Sequence, residues 1–270
     1  MRMCAVGDSV VDRYPEEGLL FPGGTAANVA VFASRLDFSS AYLGIIGSDP
    51  EGELVASALE SEGVDLSHAL FRDEANSATD VRLEQNGNRI FSNYVPPASS
   101  ISISDGALAF ISGSDWIHTG HSSFAEHEIP RLATLAPVSY DFSYRDMDHS
   151  QPFLGHLTFA AFSRESASLE ECISLLGRAV EAGPRMAVVT RGPRGSVALA
   201  GGRLHVQEAA EANVVDTIGA GDAFQASLIT SLLKGALLKE AMVEASKFAA
   251  SVCQHRGAFG HAFTLATTER

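Results

Sequence analysis

Asp216-Thr217-Ile218-Gly219-Ala220-Gly221-Asp222-Ala223-Phe224 is the most informative run in the 270-residue chain. Its small glycines lie between strand-like Val214-Val215 and a long helical pattern over residues 220–234, so the run reads as a strand-to-helix junction. At such a junction Gly219, Ala220 and Gly221 leave backbone N–H groups exposed at a helix N-terminus, where the helix dipole favours the charge of a transferring phosphate. Asp222, in the first helical turn, is placed to accept a proton from a substrate hydroxyl. A helix-start acid behind an ordinary glycine turn is the competing reading of the same residues.

Outward from this junction, strand and helix patterns alternate. Residues 239–255 continue the helical texture on one side; on the other, residues 116–119, 138–142, 185–190 and 196–200 read as strands, with a helical segment over 126–135. Met3-Cys4-Ala5-Val6 is a first strand that stops at Gly7-Asp8. Val29, Phe32, Ala33 and Leu36 then form an i, i+3, i+4, i+7 stripe, residues 41–46 a further strand, and Leu54, Val55, Ala58 and Leu59 a second helical face. Such alternation predicts a largely parallel sheet covered by helices on both faces. The texture changes over residues 78–94, where Thr79 to Glu84 alternates, Asn86-Gly87 signals a hairpin turn and residues 89–94 are again strand-like.

Composition narrows the function. Apolar residues make up 46% and charged residues 19%, the balance of a folded protein. A net charge of -14, from 33 acidic against 19 basic residues, opposes binding to a nucleic-acid backbone but not to a nucleotide held by backbone N–H groups. Cys4, Cys172 and Cys253 form neither a disulfide framework nor a Cys-x-x-Cys motif, and no apolar stretch approaches the roughly 18 residues of a membrane span. The first apolar run ends by Asp8, too short for a signal-peptide core, so the expectation is a soluble cytoplasmic protein with no membrane partner.

Two further patterns accompany the opening run. Gly7-Asp8 is followed by Asp12 and then by Gly23-Gly24-Thr25-Ala26-Ala27-Asn28 entering a helix; Thr190-Arg191-Gly192-Pro193-Arg194-Gly195 follows a strand and, taken alone, is a glycine-proline turn. Together with the junction these patterns resemble the PfkB, or ribokinase-like, carbohydrate kinase family. The resemblance implies one three-layer α/β/α domain over residues 1–270, with a mostly parallel central sheet and a small β lid near residues 12–22 and 72–100. It implies ATP and Mg2+, with Asp222 and the Gly219, Ala220, Gly221 turn as the catalytic set. Asp8, Asp12, Gly23, Gly24 and Asn28 would bind the carbohydrate, and Thr190, Gly192, Gly195, Thr217 and Gly257 the nucleotide, with Ser251 and Cys253 as neighbours of the adenine pocket.

One departure bears on the metal. The family shows Asn-x-x-Glu ahead of the nucleotide loop, whereas this chain reads Phe162-Ser163-Arg164-Glu165. Glu165 is carried over, indirectly to the metal, with water and the ATP phosphates supplying the remaining ligands. Within the family the similarity is to fructoselysine 6-kinases and runs through Gly7-Asp8 to Tyr14-Pro15, Phe91 and Tyr94, Asp115 to His118, and Asp141-Phe142-Ser143. It implies transfer to the 6-hydroxyl of a fructosamine, with Asp80, Arg82, Glu84 and Arg89 either facing its amino-acid part or forming a solvated strand face.

Competing expectations are a kinase for another ketosugar, a sugar acid or a nucleoside, and a sugar- or nucleotide-binding sensor without catalysis. A dinucleotide oxidoreductase finds no Gly-x-Gly-x-x-Gly after the first strand. His118, His121 and His127 lack a metal-ligand spacing, and His121 is a candidate hydrogen-bonding partner of the substrate; Trp116 is expected in the core. The lid edge is a candidate homodimer contact.

Overall fold

The computed structural model describes residues 1–83 and 89–264. Its N-terminal half contains β1 (Arg2–Val6), β2 (Val10–Tyr14), β3 (Leu19–Gly23), α1 (Thr25–Arg35), β4 (Ser39–Leu43), β5 (Ile45–Gly47), α2 (Pro50–Ser61), β6 (Val64–Asp65), β7 (Leu70–Arg72), β8 (Ser77–Leu83), β9 (Arg89–Val95) and α3 (Asp105–Ile111). There follow β10 (Trp116–Gly120), α4 (Ile129–Leu132), β11 (Val138–Ser143), α5 (Met147–Leu154), β12 (Phe159–Ser163), α6 (Leu169–Glu181), β13 (Met186–Thr190), β14 (Ser196–Ala200), β15 (Arg203–Gln207), α7 (Ala220–Leu233), α8 (Leu238–Val252) and β16 (Phe263–Thr264). The central sheet runs β15-β14-β13-β12-β11-β10-β1-β4-β6, parallel from β6 through β13 and antiparallel at β14 and β15.

The sheet is a wall between two cores. Along β1, Met3 and Ala5 pack into one apolar cluster while Cys4 and Val6 pack into the other; Met186 and Val188 against Ala187 and Val189 repeat the division in β13. Successive side chains point to opposite faces, so a strand covered on both faces reads as an unbroken apolar run. Residues of α1, α2, α7 and α8 fill the first cluster, and residues of α3 to α6 the second. Four helices among the described residues start at a capping side chain supplied by the sequence: Asp49 accepts from Gly52 N ahead of α2, Ser104 from Ala107 N ahead of α3, Asp146 from His149 N ahead of α5, and Ser168 and Glu171 form a reciprocal capping box ahead of α6. Every residue of α7 from Asp222 to Thr230 is buried, which makes α7 an interior helix rather than an amphipathic surface one.

A second sheet, β16-β3-β2-β8-β9, stands over the C-terminal ends of the central strands, and β5 pairs with β7 as a two-stranded ribbon. Buried hydrogen bonding joins it to the main body: the Tyr14 hydroxyl donates to Asp216 Oδ2 at 2.5 Å. Its strands begin at Val10, just ahead of the expected segment near 12–22, and at Ser77, inside the expected segment near 72–100, and it gains β16 from the far end of the chain. The expected turn at Asn86-Gly87, with Glu84, lies outside the described residues.

Three expectations are corrected. Val214-Val215 forms no strand: both residues are exposed, and Val215 N donates to Cys253 O in a loop against the end of α8. Residues 41–46 are split at Gly44 into β4, paired with β1 and β6, and β5, which leaves that sheet to pair with β7; a Cβ at Gly44 would collide with Gly7 O and the Tyr42 ring. The helix over 126–135 shortens to a single turn and α4, since Pro130 lies at its start and the chain leaves the helix by Ala133.

Candidate active site

The junction is held open by Asp216. Buried beneath the loop, its Oδ1 accepts from Ile218 N at 2.9 Å, and its Oδ2 from Gly257 N at 3.1 Å as well as from Tyr14. Gly219 then turns left-handed with φ 74°, where an added Cβ would stand 2.5 Å from the Cβ of Ala258. That turn aims the first N–H groups of α7 at the cleft. Asp222 is buried in the first turn, and the Asn28 amide of α1 donates to its Oδ2 at 2.7 Å. Burial holds its carboxyl well above the usual range, nearby Asp141 and Asp8 push the same way, and Asn28 and Arg89 oppose them.

Asp8 has a structural task as well. Its carboxylate accepts from Thr25 N at 2.8 Å, from Ala26 N at 3.2 Å and from Ser123 Oγ at 3.1 Å, capping α1 and leaving one of about four acceptor directions unused. Asp12 lies buried on β2, its carboxyl pushed up to about 8 by burial against the opposing pull of Arg89. Gly23 is necessary beside it, because a Cβ there would collide with Asp12 Oδ2; Gly24, at φ 104°, lets α1 begin against Asp8 O and Ser9. The expected Asp8, Asp12, Gly23, Gly24, Asn28 and Asp222 thus converge between β1, β2, α1 and α7.

Two members of this cluster escape the sequence reading. Asp141, at the C-terminal end of β11, accepts from Ser143 N at 2.7 Å and from Gln225 Nε2 at 2.9 Å. Burial raises its carboxyl, with His121 the largest opposing influence. Gln225 follows Asp222 by three residues on one helix face, a spacing that was available as a signal. Buried acceptors without partners, Asn28 Oδ1 and Gln225 Oε1, face this region together with unpartnered His121 Nδ1. His118 is instead a core residue: Nδ1 meets Ser139 Oγ at 2.9 Å, and burial lowers it to about 3. His127 turns to Ile101 O, so the three histidines share no site, and Trp116 is buried as expected.

Across the cleft, Thr190 ends β13 and Gly192 turns at φ 56° against the side chain of Glu165. Arg191 N donates to Gly195 O at 2.7 Å, closing the loop, while Gly195 at φ 78° leaves no space for a Cβ beside Gln207 O. Phe162, at the position of the family asparagine, points away from this loop into the second core and stacks on Phe142 at 5.0 Å. It supplies packing, not a ligand. Glu165 is exposed; among the described residues no cluster of three His, Cys, Asp or Glu side chains has metal-binding geometry. Gly257 and Cys253 contact the junction loop, whereas Ser251 Oγ returns to Phe248 O. Asp80 and Arg82 are occupied by Asn93 and Glu16, and Arg89 reaches Thr217.

A helix N-terminus turned by Gly219 above a buried carboxylate, at the carboxyl edge of a parallel sheet and under a smaller β lid, defines a ribokinase-like phosphotransferase with an alcohol group as acceptor. Residues 6–118 and 156–261 match the pfkB family carbohydrate kinase, and the chain belongs to that family. It is 36% identical over 268 residues to fructosamine kinase FrlD of Bacillus subtilis (strain 168), covering 97% of this chain and 94% of the relative. Against fructoselysine 6-kinase of Escherichia coli (strain K12) it is 30% identical over 261 residues, covering 95% and 99%. Among solved structures, fructokinase of Vibrio cholerae O395 in its fructose, ADP and calcium ion bound form superposes with TM-score 0.78 at 25% identity, covering 96% of this chain and 95% of that one. No helix among the described residues is long and apolar enough to cross a membrane.

Proposed function

We propose that this kinase transfers the γ-phosphate of ATP to the 6-hydroxyl of fructoselysine or a similar fructosamine. The observation that carries the chemistry is Asp222, buried and held by Asn28 at the glycine-turned start of α7. Its raised proton affinity suits a base that must take a hydroxyl proton at the moment of transfer. As the substrate oxygen bonds to the γ-phosphorus, the bond to the bridging oxygen breaks, the proton passes to Asp222 and ADP leaves. The N–H groups of Gly219 to Asp222 stabilise the charge spread over the transferring group.

Asp8, Asp12 and Asn28 are the proposed sugar contacts, and the loop from Thr190 to Gly195, with Thr217 and Gly257, the nucleotide contacts. The second sheet acts as a lid that excludes water. Magnesium fits the residues present: Glu165 beside Gly192 is an exposed carboxylate with no ion pair among the described residues, the kind of single oxygen ligand that a largely hydrated magnesium accepts. When bound it would neutralise the phosphates. The fructosamine assignment is supported by similarity over nearly the full length of two relatives bearing those names. The fructokinase likeness favours a ketohexose as the second reading.

ADP release from Mg-ATP decides between them when measured with fructoselysine, other fructosamines, fructose, ribose, a ketodeoxygluconate and nucleosides. Selective turnover of fructosamines is expected; preference for fructose would move the substrate and keep the chemistry, and tight binding without turnover would favour a sensor. Ile90, Phe91, Tyr94 and Val95 are exposed on the outermost lid strand, which supports a homodimer through that edge; a monomer in sedimentation equilibrium at micromolar concentration would remove it.

A further inference from the structure

Arg89 opens β9 and reaches from the lid to the helix junction. Its Nη1 donates to Thr217 O at 3.0 Å and to Thr217 Oγ1 at 2.8 Å. Thr217 stands two residues before Gly219, so the guanidinium lies beside the turn whose N–H groups face the phosphate. Arg13, Arg35, Arg82 and Arg256 each have a carboxylate within 3.0 Å. Arg89 has none within 4.0 Å among the described residues. Its charge still bears on Asp12 and Asp222, opposing in both the effect of burial. A guanidinium with no carboxylate partner among the described residues, fixed to a lid and beside an anion-binding turn, matches the planar oxygens of a phosphoryl group.

We propose that Arg89 is a catalytic residue carried by the lid: when sugar and nucleotide bind, it exchanges Thr217 for the γ-phosphoryl oxygens and so couples closure to transfer. The substrate oxygen forms its bond to phosphorus, the bridging bond to ADP breaks, the proton goes to Asp222, and Arg89 balances charge on the oxygens between them. Holding the amino-acid end of a fructosamine is a poorer fit, because a 6-hydroxyl at Asp222 puts that end across the sugar from Thr217. The inference rests on Asp222 as the base and not on the identity of the sugar.

Steady-state kinetics of Arg89→Gln and Arg89→Lys test it. Turnover is expected to fall about 100-fold in Arg89→Gln, with sugar KM within about twofold of wild type, a smaller loss in Arg89→Lys and partial rescue by added guanidinium. The acid limb of the kcat–pH profile should also move upward in Arg89→Gln. Asp222 is faced by Asp141 from β11, Asp8 from the loop after β1 and Asn28 from α1, and Arg89 is the cation among the groups that bear on it. Loss of the charge alone would move that limb, so the contact with the phosphoryl group is read from turnover on the plateau above it, where Asp222 is ionised and a purely structural strut would leave kcat unchanged. Unchanged kcat with a large rise in sugar KM would assign Arg89 to the substrate's tail and overturn the proposal, as would unchanged kcat and KM. Equal thermal midpoints and circular dichroism identify variants that are folded, and Arg89→Lys keeps the test alive should Arg89→Gln unfold. If no fructosamine is turned over, the same comparison on whichever sugar is, or on ATP hydrolysis by water, reads Arg89 separately from that assignment.

Discussion

Asp222 and Asp12 are both buried carboxyls with raised proton affinity, yet they answer to different tests. Asp222→Asn keeps the size and the Asn28 neighbour but removes the base, so kcat should fall by about 100-fold or more while the KM for ATP changes little. Full turnover by a folded Asp222→Asn protein would end its role as base. For Asp12 the measurement is stability. Its folded-state value of about 8 lies above the ordinary 3.8, so the folded protein binds the extra proton in that window; the contribution is complete below 3.8 and is lost as pH rises through 8. Asp12→Asn does not titrate, and its thermal midpoint should therefore gain on wild type between pH 5 and pH 8.5, by on the order of 5 °C at the upper end. A constant difference across that range would contradict the burial argument. Glycine spacing made Asp222 legible in the sequence, and the early Asp8, Asp12 and Asn28 were legible by type. Gln225 could be placed beside Asp222 by its spacing, but its contact with Asp141 could not, because that contact joins residues 84 apart and exists only once β11 and α7 are side by side.

At the scale of elements, strands buried on both faces were plain in the sequence because alternation is absent from them: β1 and β13 are continuous apolar runs. What misled was β-branched content without a partner strand, as at Val214-Val215, where Cys253 O accepts from Val215 N in place of a neighbouring strand. The Ser168 to Glu171 box was a readable helix start, whereas the pairing of β16 with β3 was not, since it depends on the chain returning after more than two hundred residues. The glycine loop between β13 and β14, proposed to hold the nucleotide, offers the prediction at this scale. Gly195 has φ 78° and faces Gln207 O too closely for a side chain, so Gly195→Ala must shift the loop or the β15 edge. If this loop holds the nucleotide, KM for ATP should rise about tenfold with sugar KM unchanged. A rise in sugar KM alone would place the nucleotide elsewhere.

Taken whole, the molecule is an acidic body, with net charge -14, that gathers further carboxylates at its cleft, and its proposed co-substrate is itself an anion. Attraction therefore has to be local: in the proposed arrangement the N-terminus of α7 and the Arg89 guanidinium would face the phosphates, while the surface at large would repel them. The two contributions differ in range. The global repulsion acts across tens of ångströms and is screened once the Debye length shrinks from roughly 30 Å at 0.01 M salt to about 8 Å at 0.15 M, whereas contacts inside the closed cleft are screened far less. Raising salt over that interval should accordingly increase kcat/KM for Mg-ATP, by a factor of about 3 to 10, while kcat at saturation stays nearly constant. Arg89→Gln should retain that salt dependence at a lower turnover, because it removes a short-range partner and adds only one unit to the net negative charge. A decrease in kcat/KM with salt, in either protein, would mean that the nucleotide approaches across a basic patch and that the long-range field of this chain is not the one its composition dictates.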